Sequence, residues 1–269
     1  MKKVFTIALV ALIAITSVFA GGAKESDPNT IVVGATPDPH AALLYLVVDD
    51  LAAQGYTLVV KEFTDYITPN TALEEGELDA NFYQHIPYLE SFNAEHGTHL
   101  ASAGGIHIEP IALYSYNNRY KSVDELPNGA TIAIPNDPTN EGRALFLLQD
   151  AGLIKLPADC SLEVTPIDII ENPHNFKFKE IEAASLPRVL KDVDAAIING
   201  NYAIPAGLVA TEDGILIEGA SSPYVNVIAV KEGNENNPAI QALVAALKSD
   251  EVKAYVAEKY PNGEVILVK

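Results

Sequence analysis

Arg143 sits in the run Thr131-Ile-Ala-Ile-Pro-Asn-Asp-Pro-Thr-Asn-Glu-Gly-Arg143, where a guanidinium could hold a carboxylate through a two-pronged contact. Thr131 to Ile134 reads as a short buried strand, and Pro135 and Pro138 prevent its extension. Asp137 can then cap a helix that Pro138 opens and that runs from Thr139 to about Asp150. Ala144, Leu145, Leu147 and Leu148 form its buried side, and Gly152 stops it. Where the strand meets the helix, free backbone N–H groups and the positive dipole end converge, which favours an anion. The alternative reading is an Arg on a solvated helix face, and this stretch alone does not choose between them.

Five further clusters carry polar or aromatic groups at strand ends or at crossings between elements. They are Glu62-Phe-Thr-Asp-Tyr66, Asp79-Ala-Asn-Phe-Tyr-Gln-His85, Gly105-Ile-His107, Ile197-Ile-Asn-Gly-Asn-Tyr-Ala203 and Tyr224-Val-Asn226. Open α/β sheets bind ligands at the carboxyl ends of their strands. Singly, each cluster reads equally as structure: aromatics as core, Asn as turn former, His as a surface or satisfied core residue. Together they describe a slot with aromatic walls and an Arg-plus-amide end, suited to an amino acid with an apolar, polarisable side chain.

The elements that must position these groups alternate. Strands are expected at Ile31–Ala35, Thr57–Phe63, Leu78–Tyr83, Phe178–Ile181, Ala195–Ile198 and Tyr224–Val230, with an extended stretch from Leu100 to Tyr116. Helices are expected from about His40 to Gln54, Thr68 to Gly76, onward to His96, Ala183 to Leu190, Pro238 to Lys248 and Asp250 to Tyr260. Such alternation implies parallel sheets with helices on both faces. A chain of 269 residues exceeds the usual single core, so two α/β lobes are expected. Crossings near Glu109-Pro-Ile111 and Gly219-Ala-Ser-Ser-Pro223 would put residues 28–110 and 223–269 in one lobe and 111–222 in the other. Two extended crossings make a hinged cleft, a common place for a small ligand.

Residues 1–20 read as an export signal: Lys2-Lys3, an apolar run from Val4 to Val18, and a cleavage site at Val18-Phe-Ala20. An uncleaved anchor helix is the alternative. Without this segment the chain has 15 basic and 36 acidic groups, a formal −21, which repels nucleic acid and anionic membrane. The only cysteine, Cys160, lies far from the apolar run, so the sequence offers no thiol there for lipid attachment and none for an internal disulfide.

Taken together, Phe63-Thr-Asp-Tyr66, Asn81-Phe-Tyr-Gln-His85, Ile134-Pro-Asn-Asp137 with Asn140-Glu-Gly-Arg143, and Ile198-Asn-Gly-Asn-Tyr202 resemble the methionine-binding substrate-binding proteins of ABC importers, the NlpA/MetQ family. The likeness spans essentially the whole chain after the signal. It implies a periplasmic-binding-protein fold: two hinge-connected α/β domains closing over L-methionine and delivering it to a membrane permease and ATPase, as a monomer and without a cofactor. By resemblance Arg143 binds the carboxylate, and Asn199, Asn201 and Asn226 serve the amino and carboxylate ends. Tyr66, Phe82, His85 and His107 wall the thioether pocket, and Asn140 belongs to the set. Many members carry a lipid-bearing cysteine after the signal; here Gly21-Gly22 stands there, so a soluble mature chain beginning at Gly21 is expected.

The same residues admit other cargoes and classes. A methionine-containing dipeptide or another apolar amino acid would suit the same slot. Metal-binding transport is suggested by His85, His107, Glu109 and His96-x-x-His99, but His96 and His99 straddle a helix end at Gly97 and no further ligand has tight spacing. Catalysis lacks a motif: there is no Gly-x-Ser-x-Gly, no His-Glu-x-x-His, no phosphate-binding glycine loop and no local partner for Cys160. Arg143, as a helix-face residue, would add little to either core.

Overall fold

Runs of β-branched and apolar residues become strands that feed short helices, in the computed structural model that describes residues 29–219 and 222–268. The export signal and Gly21-Gly22 lie outside the described residues. The first part holds β1 (Thr30–Ala35), a wide helical turn (Pro37–Ala41), α1 (Ala42–Leu46), α2 (Val48–Ala53), β2 (Thr57–Glu62) and α3 (Thr68–Glu74). β3 (Ala80–His85), α4 (Ile86–His96) and β4 (Leu100–Ile108) follow. Next come β5 (Ala112–Tyr114), β6 (Thr131–Pro135), α5 (Pro138–Asp150), β7 (Lys177–Ile181), α6 (Leu186–Val189) and β8 (Ala195–Ile198). Then α7 (Gly200–Ala203), α8 (Ala210–Asp213), β9 (Gly214–Ile217), β10 (Val225–Lys231), α9 (Pro238–Ala246), α10 (Asp250–Lys259) and β11 (Ile266–Leu267) complete the order.

Two sheets result, with strand orders β11-β4-β10-β3-β1-β2 and β7-β6-β8-β5-β9. The chain passes between them twice, after β4 and after β9, so the two-lobed α/β architecture expected from the sequence is present. In the first sheet, Ile31, Val33, Ala80, Phe82 and Ile228 pack under α1, α2, α9 and α10. Leu78, Val227 and Ala229 on the other face pack with Ala72, Leu73 and Leu89 of α3 and α4. In the second sheet, Ile132, Ile134, Ala195 and Ile197 face Ala144, Leu145 and Leu148 of α5, while Ala133, Ala196 and Ile198 face Leu186 and Leu190. Alternate strand residues thus fill two cores apiece, as a period of two requires.

The sheets are mixed rather than parallel. β1, β2 and β3 run parallel, but β10 is antiparallel to both β3 and β4, pairing Asn226 with His85 and with His107. β5 is likewise antiparallel to β8 and β9. Each of β5 and β10 enters its sheet from a crossing at the carboxyl ends of the neighbouring strands and must run backwards. Strand-helix alternation carries no sign of such an entry. The helix expected from His40 to Gln54 is also broken, because Val47 leaves helical geometry (φ −97°, ψ 8°) between α1 and α2. β9, α7 and β11 were not expected; each has four residues or fewer, too short for a periodic signal.

α5 is where sequence and structure agree best. Asp137 accepts the Asn140 backbone N–H at 3.0 Å, Pro138 opens the helix and Ala144, Leu145 and Leu148 are fully buried. Gly142 fits it against the Leu162 backbone: a Cβ there would lie 1.9 Å from the Leu162 carbonyl oxygen. Gly142→Ala should therefore force α5 and that loop apart and lower stability by about 1–3 kcal/mol. Thermal melting tests this; an unchanged melting temperature would show that the loop moves freely.

Candidate ligand-binding site

Between the two sheets, where β3, β6 and β8 end and β10 begins, lies a small, narrow cavity. Seven of the nine residues expected there line it: Tyr66, His85, Asn140, Arg143, Asn199, Asn201 and Asn226. Phe82 and His107 do not. Phe82 alternates onto the helix-covered face of β3 and is fully buried, with its ring edge-on to His40 at 4.7 Å and to His107 at 5.3 Å. His107, also fully buried, turns its Nε2 to Glu109 at 2.8 Å. Both therefore stand behind the wall rather than in it. Tyr83, Gln84, Tyr88 and Glu109, which complete the lining together with Gly200, were missed as site residues. Tyr83 stood inside a quoted motif, whereas Tyr88 carries no sequence signal beyond its aromatic type.

A connected hydrogen-bond network sets the cavity floor. His85 caps α4, its Nδ1 accepting the Tyr88 backbone N–H at 3.1 Å, which places the ring proton on Nε2. That Nε2–H donates to Asn140 Oδ1 (3.1 Å), as does Asn199 Nδ2 (2.7 Å), while Asn140 Nδ2 donates to Asp137 (2.9 Å). Burial and the nearby Arg143 charge lower the His85 pKa to about 3, so this ring is neutral at ordinary pH. Tyr66 donates its hydroxyl to Asn201 Oδ1 at 2.5 Å, and Tyr83 and Tyr88 both donate to the Tyr66 carbonyl, at 2.7 and 2.8 Å. Two buried side-chain atoms on this wall have no partner among the described residues: the acceptor Asn199 Oδ1 and the donor Asn201 Nδ2.

Arg143 is built in rather than solvated, at 4% exposure. Its Nε donates to Glu218 at 2.9 Å, its Nη2 donates both to Glu218 and, at 2.7 Å, to the Glu109 carbonyl, and its guanidinium lies over the Tyr224 ring at 4.3 Å. Glu109 and Glu218 stand on the two crossings, so one side chain ties both. Of the guanidinium nitrogens, Nη1 takes no part in these bonds.

Glu109 brings a carboxylate to the cavity. His107 and His40 approach its Oε1 at 2.8 and 3.2 Å. His40 was invisible as a site residue because 69 positions separate it from Glu109. The three groups lie within 4.8 Å of one another, a spacing that would also suit a cation. The hydrogen positions described below favour a hydrogen-bond network.

The family model described as NlpA lipoprotein matches residues 31–268. The chain belongs to the NlpA lipoprotein family. Relatives include the membrane lipoprotein TpN32 of Treponema pallidum, 43% identical over 263 residues covering 98% of this chain and 97% of that one. The D-methionine-binding lipoprotein MetQ of Escherichia coli K12 is 42% identical, covering 96% of each. Among solved structures, a nutrient-binding protein from Burkholderia cenocepacia bound to methionine superposes with a TM-score of 0.85 at 44% identity, covering 89% of this chain and all of that one. An ABC transporter periplasmic substrate-binding protein from Coxiella burnetii does so with 0.84 at 40% identity, covering 88% and 100%. This NlpA-family chain is thus an exported substrate-binding protein in fold and kind.

One expectation is reversed by the geometry. Because Arg143 is buried and its removal would leave Glu218 and the Glu109 carbonyl without a partner, Arg143→Ala should destabilise the protein by about 1–3 kcal/mol even without ligand. A melt of ligand-stripped variant and wild type measures it, and equal melting temperatures would return Arg143 to a purely ligand-facing role.

Proposed function

We propose that this protein captures methionine between its lobes and delivers it to the permease and ATPase of an ABC importer. The observation that carries this reading is the pair of unpartnered amide atoms, Asn199 Oδ1 and Asn201 Nδ2, of opposite hydrogen-bonding sense on one cavity wall. An acceptor suits an ammonium and a donor suits a carboxylate, so the pair matches an amino-acid backbone; Arg143 Nη1 and Asn226 add to the two ends. Tyr66, Tyr83, Tyr88 and His85 supply ring edges and faces for the side chain, where a thioether gains from sulfur–aromatic contact. The methionine-bound and ABC-transporter relatives support the cargo and the destination.

In this reading residues 28–110 with 223–269, and residues 111–222, are the bodies that close. Tyr66 to Asn201, His85 to Asn140, and Tyr202 to the Thr64 carbonyl at 3.1 Å are bonds made across the closed cleft. The protein works as a monomer and carries its cargo without transforming it. The mature chain begins at Gly21 and bears no lipid, a reading that rests on Cys160 being the only thiol and runs against the lipoprotein names of the relatives. Amino-terminal mass analysis of protein from its source cells decides that point: an acyl-modified residue or a retained Met1 overturns it.

Calorimetric titration of L-methionine into ligand-stripped protein tests the cargo. Wild type should bind with one site per chain, and Arg143→Ala should lose roughly thirty-fold to several thousand-fold in affinity. Arg143→Lys should recover only part, because an ammonium cannot make the planar contact. Asn201→Ala, which leaves the Arg143 ties intact, should also weaken binding. Unchanged affinity in both Arg143→Ala and Asn201→Ala would mean that the ligand lies elsewhere.

A further inference from the structure

Glu109 is surrounded by more machinery than a crossing residue needs. Thr36 Oγ1 lies 2.8 Å from His40 Nδ1, and His40 Nε2 faces two acceptors, Glu109 Oε1 and Asn226 Oδ1, each at 3.2 Å. Two acceptors at Nε2 place the ring proton there, so Nδ1 accepts from the Thr36 hydroxyl. His107 likewise donates its Nε2–H to Glu109 Oε1, and its Nδ1, buried without a partner, is left as a bare lone pair. Burial lowers the two histidine pKa values to about 4 and 3, so each ring supplies a hydrogen and no charge. Both hydrogens go to one oxygen. The other, Oε2, lies 2.8 Å from where a Cβ of Gly200 would stand, so only glycine leaves it room at the cavity wall. The nearest guanidinium, Arg143, bonds the Glu109 carbonyl and Glu218 rather than this carboxylate. The Asn201 backbone N–H also favours this carboxylate, and no Lys or Arg side chain among the described residues is bonded to it.

Resting on the methionine-capture reading above, we infer that Glu109 Oε2 receives the α-ammonium of the ligand, that His40 and His107 are the positioning residues which aim it, and that the site therefore takes only α-amino acids with a free amine. Selectivity of this kind is strong, because a ligand lacking the amine leaves a buried carboxylate unpaired, whereas a difference of one methylene in the side chain is a weak discriminator.

The charge balance makes the inference measurable. Desolvation raises the Glu109 pKa to about 6, against His40, Arg143 and the Asn201 backbone N–H, which favour the ionised form, while the charge of Asp38 pushes it up. In the empty site the carboxyl therefore takes up a proton as pH falls through about 6, and that proton must leave before an ammonium can bind. Affinity for the amino acid should be level above this point and fall about tenfold per pH unit below it, as linkage to one proton requires.

The experiment is calorimetry of ligand-stripped protein across that range with L-methionine, N-acetyl-L-methionine and 4-(methylthio)butanoic acid, which lacks the amine. Wild type should show the acid-side loss with methionine only and should bind the other two far more weakly. His107→Leu should move the break to higher pH by removing one donor to the carboxylate, and His107→Gln, which restores an N–H, should bring it back. Glu109→Gln should weaken methionine binding and abolish the break; it serves as the second variant should His107→Leu fail to fold. Methionine binding that depends on Arg143 but is level across the range, or equally tight binding of the amine-free acid, would overturn the inference and leave the capture reading standing. Absence of methionine binding at every pH would overturn the capture reading itself. Stoichiometric zinc uptake by the stripped wild type, lost in His107→Leu, would overturn the inference in favour of a metal centre.

Discussion

The contact on which the rest depends is the tie between Arg143 and both inter-lobe crossings. α5 exists where it does because Asp137 caps it and Gly142 lets it approach the Leu162 backbone. That placement brings one guanidinium to the Glu109 carbonyl on one crossing and the Glu218 carboxylate on the other. A charge this deeply buried is tolerated only with partners of high quality. On the proposed reading, ligand capture and hinge geometry share a residue, and a carboxylate arriving at Arg143 is felt where the lobes join.

Around this tie the cavity is polar but almost fully connected, and connectivity depends on neutral histidines. A protonated His85 could not accept the Tyr88 N–H at its Nδ1, so α4 would lose its cap and Asn140 its neutral donor. Burial keeps the ring in the required state. Low local dielectric strengthens each satisfied bond and raises the cost of any that is missing, which is why such a network holds one geometry.

What could be read from the chain beforehand follows physical range. α5 was legible because cap, proline, apolar stripe and stop all act within a few residues. Strands such as Ala195–Ile198 were legible from apolar type alone. The antiparallel entry of β5 and β10 was not, since direction is decided by where a crossing delivers the chain. Seven of the nine expected site residues reach the cavity because they sit at strand ends and helix starts, places that topology brings together. Phe82 and His107 miss it because both are fully buried, Phe82 in the core under α1 and α2 and His107 against Glu109, and membership of a motif does not say which side chains reach the cleft. The partnership of His40 with Glu109 had no sequence signal of any kind, because it is made by the fold.

The closed geometry also explains why closure should wait for cargo. In this geometry Asn199 Oδ1 and Asn201 Nδ2 are buried with no protein partner among the described residues, and each such atom costs about 1–3 kcal/mol. Against this stand the few cross-cleft bonds from Tyr66, His85 and Tyr202, each worth about 0.5–1.5 kcal/mol net. The two sums are of similar size, so the empty protein gains little by closing. A ligand that supplies an ammonium hydrogen to one orphan and a carboxylate oxygen to the other removes the penalty and keeps the bonds. It thereby binds the closed form with an affinity it cannot have for the open one, which is the differential affinity that any shift in population requires. On the proposed reading, the atoms left unpaired on the wall are part of how the lobes sense what lies between them.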